Sequence, residues 1–301
     1  MLPTPDTSHV SYERVYEPAE DSFLLLDTLS SASEAAWLRE RFSTTQEEEK
    51  HNKISSSPPP LVIEIGPGSG VVIAFATAHA RHIFGRGDVV TGAVDVNAHA
   101  CAATGETVRK ALSEQSQAQS QSQSHSQQFI GAVQGDLTSP LRSASVDVLV
   151  FNPPYVPTAE LPSREEYYGS TTQEEEGGAG AGGGGVKSDR VRENSYAEDS
   201  YLLALSYAGG RDGMETTDRL LESLPRVLSP RGCAYVLLCA QNRPEEVKER
   251  IRRGGYGFAS APEEKGKGEG GGGRKWNVET VGSSGKKAGW ERLQIIRIWR
   301  D

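Results

Sequence analysis

The chain has 301 residues, a formal net charge of −9 and three cysteines. With this charge and no basic stripe, we expect no strong binding to nucleic acid through its phosphates. The cysteines form no Cys-x-x-Cys pair, which argues against a zinc site and favours a reduced, intracellular setting. No apolar run reaches about 18 residues, so no membrane span is predicted. We expect a cytoplasmic location, with the nucleus as an additional one.

Hydrophobic residues make up 36% of the chain, a low share for a globular protein. The deficit lies in four segments of low complexity, at 43–60, 113–128, 169–194 and 262–275. They carry too few apolar side chains to offset the entropy lost on ordering, so they are predicted to be disordered insertions. The rest of the chain suffices for a single domain that spans 1–301.

The first predicted element follows an acidic run with one proline, Glu17-Pro18-Ala19-Glu20-Asp21-Ser22. Apolar residues at helical spacing come next, from Phe23 to Leu29. Because acidic residues favour a helix N-terminus, the pattern by itself predicts the start of an amphipathic helix.

A strand, a glycine-rich turn and a helix follow. Leu61–Ile65 has the pattern of a short buried strand, and 71–80 is predicted to be helical. Between them lie Gly66, Gly68 and Gly70, in the order expected of a nucleotide-binding βα unit. Glycines in such a turn let a ligand approach the backbone closely, so these three are candidate cofactor contacts.

Asp95 follows a second predicted strand, 89–94. A carboxylate at this position can accept hydrogen bonds from both hydroxyls of a ribose. The alternative is an N-cap for a predicted helix at 98–112. The ribose interpretation is favoured because the turn and the acid arrive in the expected order.

Glu64 separates two classes of nucleotide. A carboxylate inside the first strand would repel a pyrophosphate, but it suits a cationic sulfonium ligand that carries an amino group. Pro67 also departs from the Gly-x-Gly-x-x-Gly form of dehydrogenases. The sequence therefore favours S-adenosylmethionine over a nicotinamide dinucleotide.

Two further strands are predicted at 129–134 and 146–151. Asp136 could accept a hydrogen bond from an adenine amino group, with Leu137 supplying a backbone N–H; a turn-capping Asp is the alternative. Parallel strands would bring four polar strand ends to one edge, and this convergence is more specific than any single residue. These ends carry Glu64, Asp95, Asp136 and Asn152.

The fourth strand ends abruptly at Asn152-Pro153-Pro154-Tyr155. The prolines cannot extend a sheet ladder, so a stiff loop is predicted where open α/β sheets bind ligands. The Asn152 side-chain oxygen and the Pro153 carbonyl could hold both hydrogens of a planar –NH2 group, while Tyr155 offers it a flat face. Such orientation is what methylation of an amide or exocyclic amine requires. An ordinary strand-ending turn is the alternative.

The remaining elements complete an α/β sheet. Cys233 and Cys239 fall on one face of a predicted strand and are expected to be small core residues. An antiparallel pair would close a seven-stranded sheet. Helices are predicted at 200–207, 216–228 and 244–253, and strands at 233–239, 256–259 and 293–299.

With these motifs placed, the chain resembles the HemK family of class I S-adenosylmethionine-dependent methyltransferases. It is most similar to the eukaryotic and archaeal branch that methylates a glutamine of class I translation release factors. The resemblance covers nearly the whole chain outside the insertions. The matching text comprises Tyr-Glu-Pro-Ala-Glu-Asp at 16–21, Glu-Ile-Gly-Pro-Gly-Ser-Gly at 64–70, Asp-Val-Asn at 95–97, Asp-Leu at 136–137, Phe-Asn-Pro-Pro-Tyr-Val at 151–156, Ala-Gly-Gly-Arg-Asp-Gly at 208–213 and Leu-Ser-Pro-Arg-Gly at 228–232.

The resemblance implies a Rossmann-like fold with helices on both faces of a mostly parallel sheet. It implies S-adenosylmethionine as cofactor, no metal in this chain, and the Gly-Gly-Gln loop of a release factor as substrate. It also implies a heterodimer with a small zinc-binding activator that pairs along a sheet edge. The implied cofactor contacts are Ser22, Glu64, Gly66, Asp95, Asp136, Leu137 and Asn152. Asn152, Pro153, Pro154 and Tyr155 form the implied catalytic motif.

Other functions remain open on the sequence. A protein-lysine methyltransferase could use the same acceptors. A DNA adenine methyltransferase would need base flipping and a basic surface, which this chain lacks. A non-catalytic scaffold is disfavoured by the intact motifs, and a nicotinamide dehydrogenase by Glu64.

Overall fold

The computed structural model describes residues 2–42, 57–118, 128–163, 186–258, 275–284 and 292–301, with the backbone alone at 186–196. Most of the four predicted insertions lies outside the described residues, and their disorder stays a prediction. Two of these segments overlap described helix, since helical structure covers 113–118 and 186–194.

The described strands form one seven-stranded sheet. They are β1 Leu61–Ile65, β2 Val90–Asp95, β3 Gln128–Gln134, β4 Val146–Phe151, β5 Leu228–Cys239, β6 Trp276–Ser283 and β7 Leu293–Arg300. Their order across the sheet is β3-β2-β1-β4-β5-β7-β6. β7 runs in the direction opposite to that of the other six described strands. The predicted mostly parallel sheet with a closing antiparallel pair is confirmed.

The described helices cover both faces of this sheet. They are α1 Glu20–Ser30, α2 Ala32–Phe42, α3 Val71–Ala78, α4 Ala80–Phe84, α5 Ala98–Ala118, α6 Val186–Tyr207, α7 Glu215–Val227 and α8 Pro244–Arg252. Within the described ranges, none of them has the length and apolar character needed to cross a membrane.

The core consists of two apolar layers, one on each face of the sheet. Strand residues alternate between the layers because successive side chains point to opposite faces. On β4, for example, Val148 and Val150 pack under α1–α5, whereas Leu149 and Phe151 pack under α7 and α8. Cys233 and Cys239 lie in the first layer, which confirms their predicted place in the core.

Several elements differ from the sequence predictions. The segment predicted as a strand at 256–259 instead begins with a 3-10 turn, Gly255–Gly257, because Tyr256 has the left-handed φ of 55°. The strand at the edge next to β7 is β6, and the sequence analysis did not predict it. The helix predicted at 71–80 ends at Ala78, and α4 follows it. The helix α2 was also not predicted.

A buried ion pair joins α2 to β7. The Arg297 guanidinium donates to Glu34 Oε2 at 2.6 Å, and the Tyr235 hydroxyl donates to the same oxygen at 2.9 Å. Arg297 also pairs with Glu279 and lies between the rings of Trp37 and Trp299. The charged groups of Arg297 and Glu34 are almost fully buried, so each depends on the other.

We expect Glu34→Ala to lower the free energy of unfolding by about 3 kcal/mol. The substitution leaves the buried guanidinium of Arg297 with only one of its two carboxylate partners, Glu279. Urea unfolding followed by circular dichroism measures this change. Glu249→Ala is the matched control, since it breaks a surface pair with Arg253 and should cost less than about 1 kcal/mol. Equal losses in the two variants would contradict a special role for the buried pair.

Candidate active site

A cavity of about 430 Å³ opens at the carboxyl ends of β1, β2, β3 and β4. The parallel strands deliver their C-terminal loops to this one edge, as the sequence analysis expected. Of the predicted site residues, all except Gly70 line the cavity. These are Ser22, Glu64, Gly66, Gly68, Asp95, Asp136, Leu137, Asn152, Pro153, Pro154 and Tyr155.

The three glycines of the turn have two different reasons to be glycine. Gly66 and Gly68 have left-handed φ values of 60° and 55°, and an added Cβ would find no atom closer than 3.8 Å. Their backbone therefore faces open cavity space. At Gly70 an added Cβ would lie 2.6 Å from Thr104 Cα. Gly70 thus lets α3 pack closely against α5.

Asp95 holds the turn in place. Its carboxylate accepts hydrogen bonds from the N–H of Gly68 at 3.3 Å and from the N–H of Asn97 at 2.8 Å. Asn97, not Asp95, caps α5, because its side chain accepts the His99 N–H at 2.9 Å. Burial raises the pKa of Asp95 to about 6.

Glu64 places a second carboxylate in the cavity wall. It is 2% exposed and accepts a hydrogen bond from the Ile73 N–H, at the start of α3, at 2.8 Å. Burial raises the pKa of Glu64 well above its ordinary value, and the charge on Asp95 adds to the rise. Two buried acids of this kind would be relieved by a cationic ligand.

Asp136 differs from its neighbours because it is exposed. Its carboxylate forms an ion pair with Arg219 of α7, which also lines the cavity. Leu137 beside it has the left-handed φ of 49°, an uncommon backbone state that clusters at functional sites. A ligand that bonds to Asp136 would therefore share this carboxylate with Arg219.

The Asn152–Tyr155 loop carries the site's unsatisfied acceptor. Asn152 Oδ1 is buried and has no hydrogen-bond partner within the described residues, although Asn152 lines the cavity. Buried polar atoms are normally paired, so a donor from a ligand is the natural partner. The Tyr155 hydroxyl donates to Asp21 at 3.3 Å.

The sequence analysis did not assign roles to Asp21, Arg14 or Arg219, all of which line the cavity. Asp21 lies in the first turn of α1, within the acidic run that was interpreted as a helix start. The carboxylate accepts both Tyr155 O–H and the Ser22 N–H, so this segment also orients the loop at β4. Arg14 pairs with Asp199 of α6 at 2.7 Å.

No cluster of three His, Cys, Asp or Glu side chains suited to a metal ion occurs in the described parts of the chain.

Known proteins resemble this chain over most of its length. The methyltransferase HEMK2 of Mus musculus is 31% identical over 263 residues, which cover 84% of this chain and 86% of the mouse protein. The chain belongs to the HEMK2 methyltransferase family. No family model matches it.

Two further relatives have more specific names. The eRF1 methyltransferase catalytic subunit mtq2 of Schizosaccharomyces pombe is 28% identical, over all of this chain and 96% of the yeast protein. A Methanocaldococcus jannaschii protein, provisionally named protein N5-glutamine methyltransferase, is 26% identical over 96% of this chain and 93% of its own.

Among solved structures, the chain is similar to a SAM-dependent methyltransferase from Aquifex aeolicus, with 10% identity over 94% of this chain and all of that one. The TM-score of this comparison is 0.38. The fold of the HEMK2-family chain is therefore described from its own strand order.

The raised pKa of Asp95 predicts a stability that depends on pH. Between the ordinary value of 3.8 and about 6, the folded protein keeps a proton that the unfolded chain releases. The contribution of Asp95 is therefore greatest below pH 3.8 and is lost as the pH rises through 6. Asp95→Asn removes this titration.

We expect the stability of the wild type relative to Asp95→Asn to fall by about 2 kcal/mol between pH 4.5 and pH 6.5. Urea unfolding of both proteins at the two pH values measures the difference. Using the difference removes the contributions of the acids that are not coupled to Asp95, and it retains the coupling between Asp95 and Glu64. A difference that stays constant with pH would contradict the raised pKa.

Proposed function

We propose that the protein transfers a methyl group from S-adenosylmethionine to the side-chain amide nitrogen of the glutamine in the Gly-Gly-Gln motif of a class I release factor. The observation that carries this proposal is the buried Asn152 Oδ1 without a partner in the described chain. An –NH2 group is the donor that this oxygen lacks. The names of the yeast and archaeal relatives support the release factor and its glutamine.

The residues at the strand ends fit S-adenosylmethionine. Gly66 and Gly68 leave their backbone open to a ligand, and Asp95 lies beside them to accept from ribose hydroxyls. Glu64 supplies negative charge in a buried wall, which favours a cationic ligand. When bound, S-adenosylmethionine supplies an electrophilic methyl group on a positively charged sulfur.

The protein's own contribution is orientation. An amide nitrogen is a poor nucleophile because its lone pair is delocalised into the carbonyl. Asn152 Oδ1 and the Pro153 carbonyl would accept the two N–H groups and hold the nitrogen toward the methyl group. Tyr155, fixed through its hydroxyl by Asp21, would support the plane of the amide. On accepting the methyl group, the nitrogen would lose one of these two protons to solvent. Holding reactants in this way lowers the barrier by restricting their motion.

We further propose that the reaction takes place in the cytoplasm. We also propose that a small zinc-binding activator pairs with β3. β3 lies at one end of the described sheet. Two apolar side chains on it, Ile130 and Val133, are 65% and 53% exposed. An exposed apolar edge strand is a template for pairing with another chain, and covering it would favour solubility.

The decisive assay is transfer of labelled methyl from S-adenosylmethionine to a purified release factor, with the enzyme co-expressed with its activator. We expect label on the wild-type factor and none on a factor whose Gly-Gly-Gln glutamine is replaced. Label on both factors would contradict the glutamine assignment. Label on neither, with donor binding intact, would direct the search to lysine side chains.

In the same assay, Asn152→Ala should reduce turnover by about 10²–10³-fold, as when one preorganised polar contact is deleted in other active sites. Asn277→Ala on β6 is the matched control, because it removes an amide far from the cavity and should leave turnover unchanged. Full activity of Asn152→Ala would rule out the role given to its side-chain oxygen.

For the activator, Val133→Lys should weaken binding at least about tenfold, because a charged group replaces an apolar side chain whose burial stabilises by roughly 1.5 kcal/mol or more. Binding is measured by titrating the purified activator onto the enzyme. Asn277→Lys adds the same charge at the opposite sheet edge and should bind as the wild type does. Unchanged affinity of Val133→Lys would show that β3 is not the contact.

A further inference from the structure

The Asn152–Tyr155 loop has few backbone hydrogen-bond donors. Pro153 and Pro154 have no N–H group, so their backbone can only accept hydrogen bonds, through its carbonyl oxygens. A loop of this kind needs donors from other segments of the chain.

The segment 208–213 packs directly against the Asn152–Tyr155 loop. The Val156 N–H donates to the Tyr207 carbonyl at 3.0 Å, and the Gly209 N–H donates to the Val156 carbonyl at 2.8 Å. An added Cβ at Gly209 would overlap the Pro154 carbonyl, and one at Gly213 would overlap the Tyr155 carbonyl. Backbone therefore lies directly on backbone here.

One side-chain amide joins these two segments to the end of β5. Asn242 is 2% exposed, and its Nδ2 lies 3.2 Å from the Tyr155 carbonyl, 3.0 Å from that of Asp212 and 3.2 Å from that of Gly213. Its Oδ1 accepts the Cys239 N–H at 2.8 Å, which fixes the orientation of the amide. Three carbonyls thus share the two hydrogens of one –NH2 group.

We propose that Asn242 is a positioning residue for the methyl-transfer reaction. Through its hydrogen bonds, Asn242 holds the Tyr155 carbonyl next to the 208–213 segment. This contact sets the position of the Asn152–Tyr155 loop. Asn242 does not contact the substrate in this role. The inference rests on the proposed function, since the loop's task is to orient the amide that receives the methyl group.

The residues fitted to the methyl donor lie elsewhere. Glu64 and Asp95 are residues of β1 and β2, and Gly66 and Gly68 follow β1, whereas Asn242 follows β5. A change at Asn242 should therefore reduce the turnover number without a matching loss of donor affinity. A purely structural residue would instead affect stability and donor affinity together.

Asn242→Asp is the informative variant. It keeps the volume of the side chain and the acceptor for the Cys239 N–H, but it replaces the donor by an oxygen that faces three carbonyl oxygens. Asn242→Ala removes both hydrogen-bonding functions. Asn277→Asp is the matched control, since it makes the same chemical change on β6.

The first measurement is amide hydrogen exchange of the folded proteins, followed by mass spectrometry. We expect Asn242→Asp to speed exchange in peptides covering 155–158 and 209–214, with β1 and β2 unchanged. Unchanged exchange in both peptides would overturn the proposal, as would faster exchange spread over the whole sheet. This measurement requires no substrate.

The second measurement is methyl transfer at saturating donor, with donor affinity from calorimetry. We expect turnover of Asn242→Asp to fall about 10²-fold, the scale of a small misplacement in an active site, while the donor dissociation constant changes less than about threefold. Turnover equal to the wild type, or a parallel loss of donor affinity, would overturn the role. A wild type that transfers no methyl would count against the proposed function alone, and hydrogen exchange would still decide the role of Asn242.

Discussion

The parallel pairing of β1 with β4 is the constraint on which the site depends. Their register sets Ile65 opposite Phe151, so the glycine turn and the Asn152 loop leave the sheet side by side. β2 pairs with β1 on the other side and brings Asp95 to the same edge. A shift of one residue in any of these strands would turn every side chain to the other face, away from both core layers. Core packing therefore fixes the geometry of the cavity.

The cavity concentrates groups that do little for stability. Glu64 and Asp95 are buried acids whose charged forms are disfavoured, and Asn152 Oδ1 has no partner in the described chain. Such groups persist at functional sites, where a ligand rather than the fold satisfies them. The buried pair of Arg297 and Glu34 is the opposite case, because each charge there finds its partner within the chain.

Much of this arrangement could be predicted from the sequence. The strands β1 and β4 begin and end where the apolar runs do, and Asn152 follows where prolines stop the ladder. β6 was missed because its pattern is broken: only Trp276 and Val278 are buried, and the strand then bulges near Gly282. Tyr256 suggested a strand, but flanking glycines allow a tight turn. Asn242 carried no signal, since its three acceptors come from segments distant in sequence.

The pairing of 156–158 with 207–210 also has a consequence for the chain between these segments. This pairing holds together the two ends of the chain segment that lies between them, next to the Asn152–Tyr155 loop. Once the ends of a loop are held, each doubling of its length costs only about 0.6 kcal/mol. The sequence between Pro162 and Val186 can therefore change greatly in length and composition while the Asn152 loop keeps its position. A fluorescent protein or an affinity tag inserted there should leave the catalytic geometry intact.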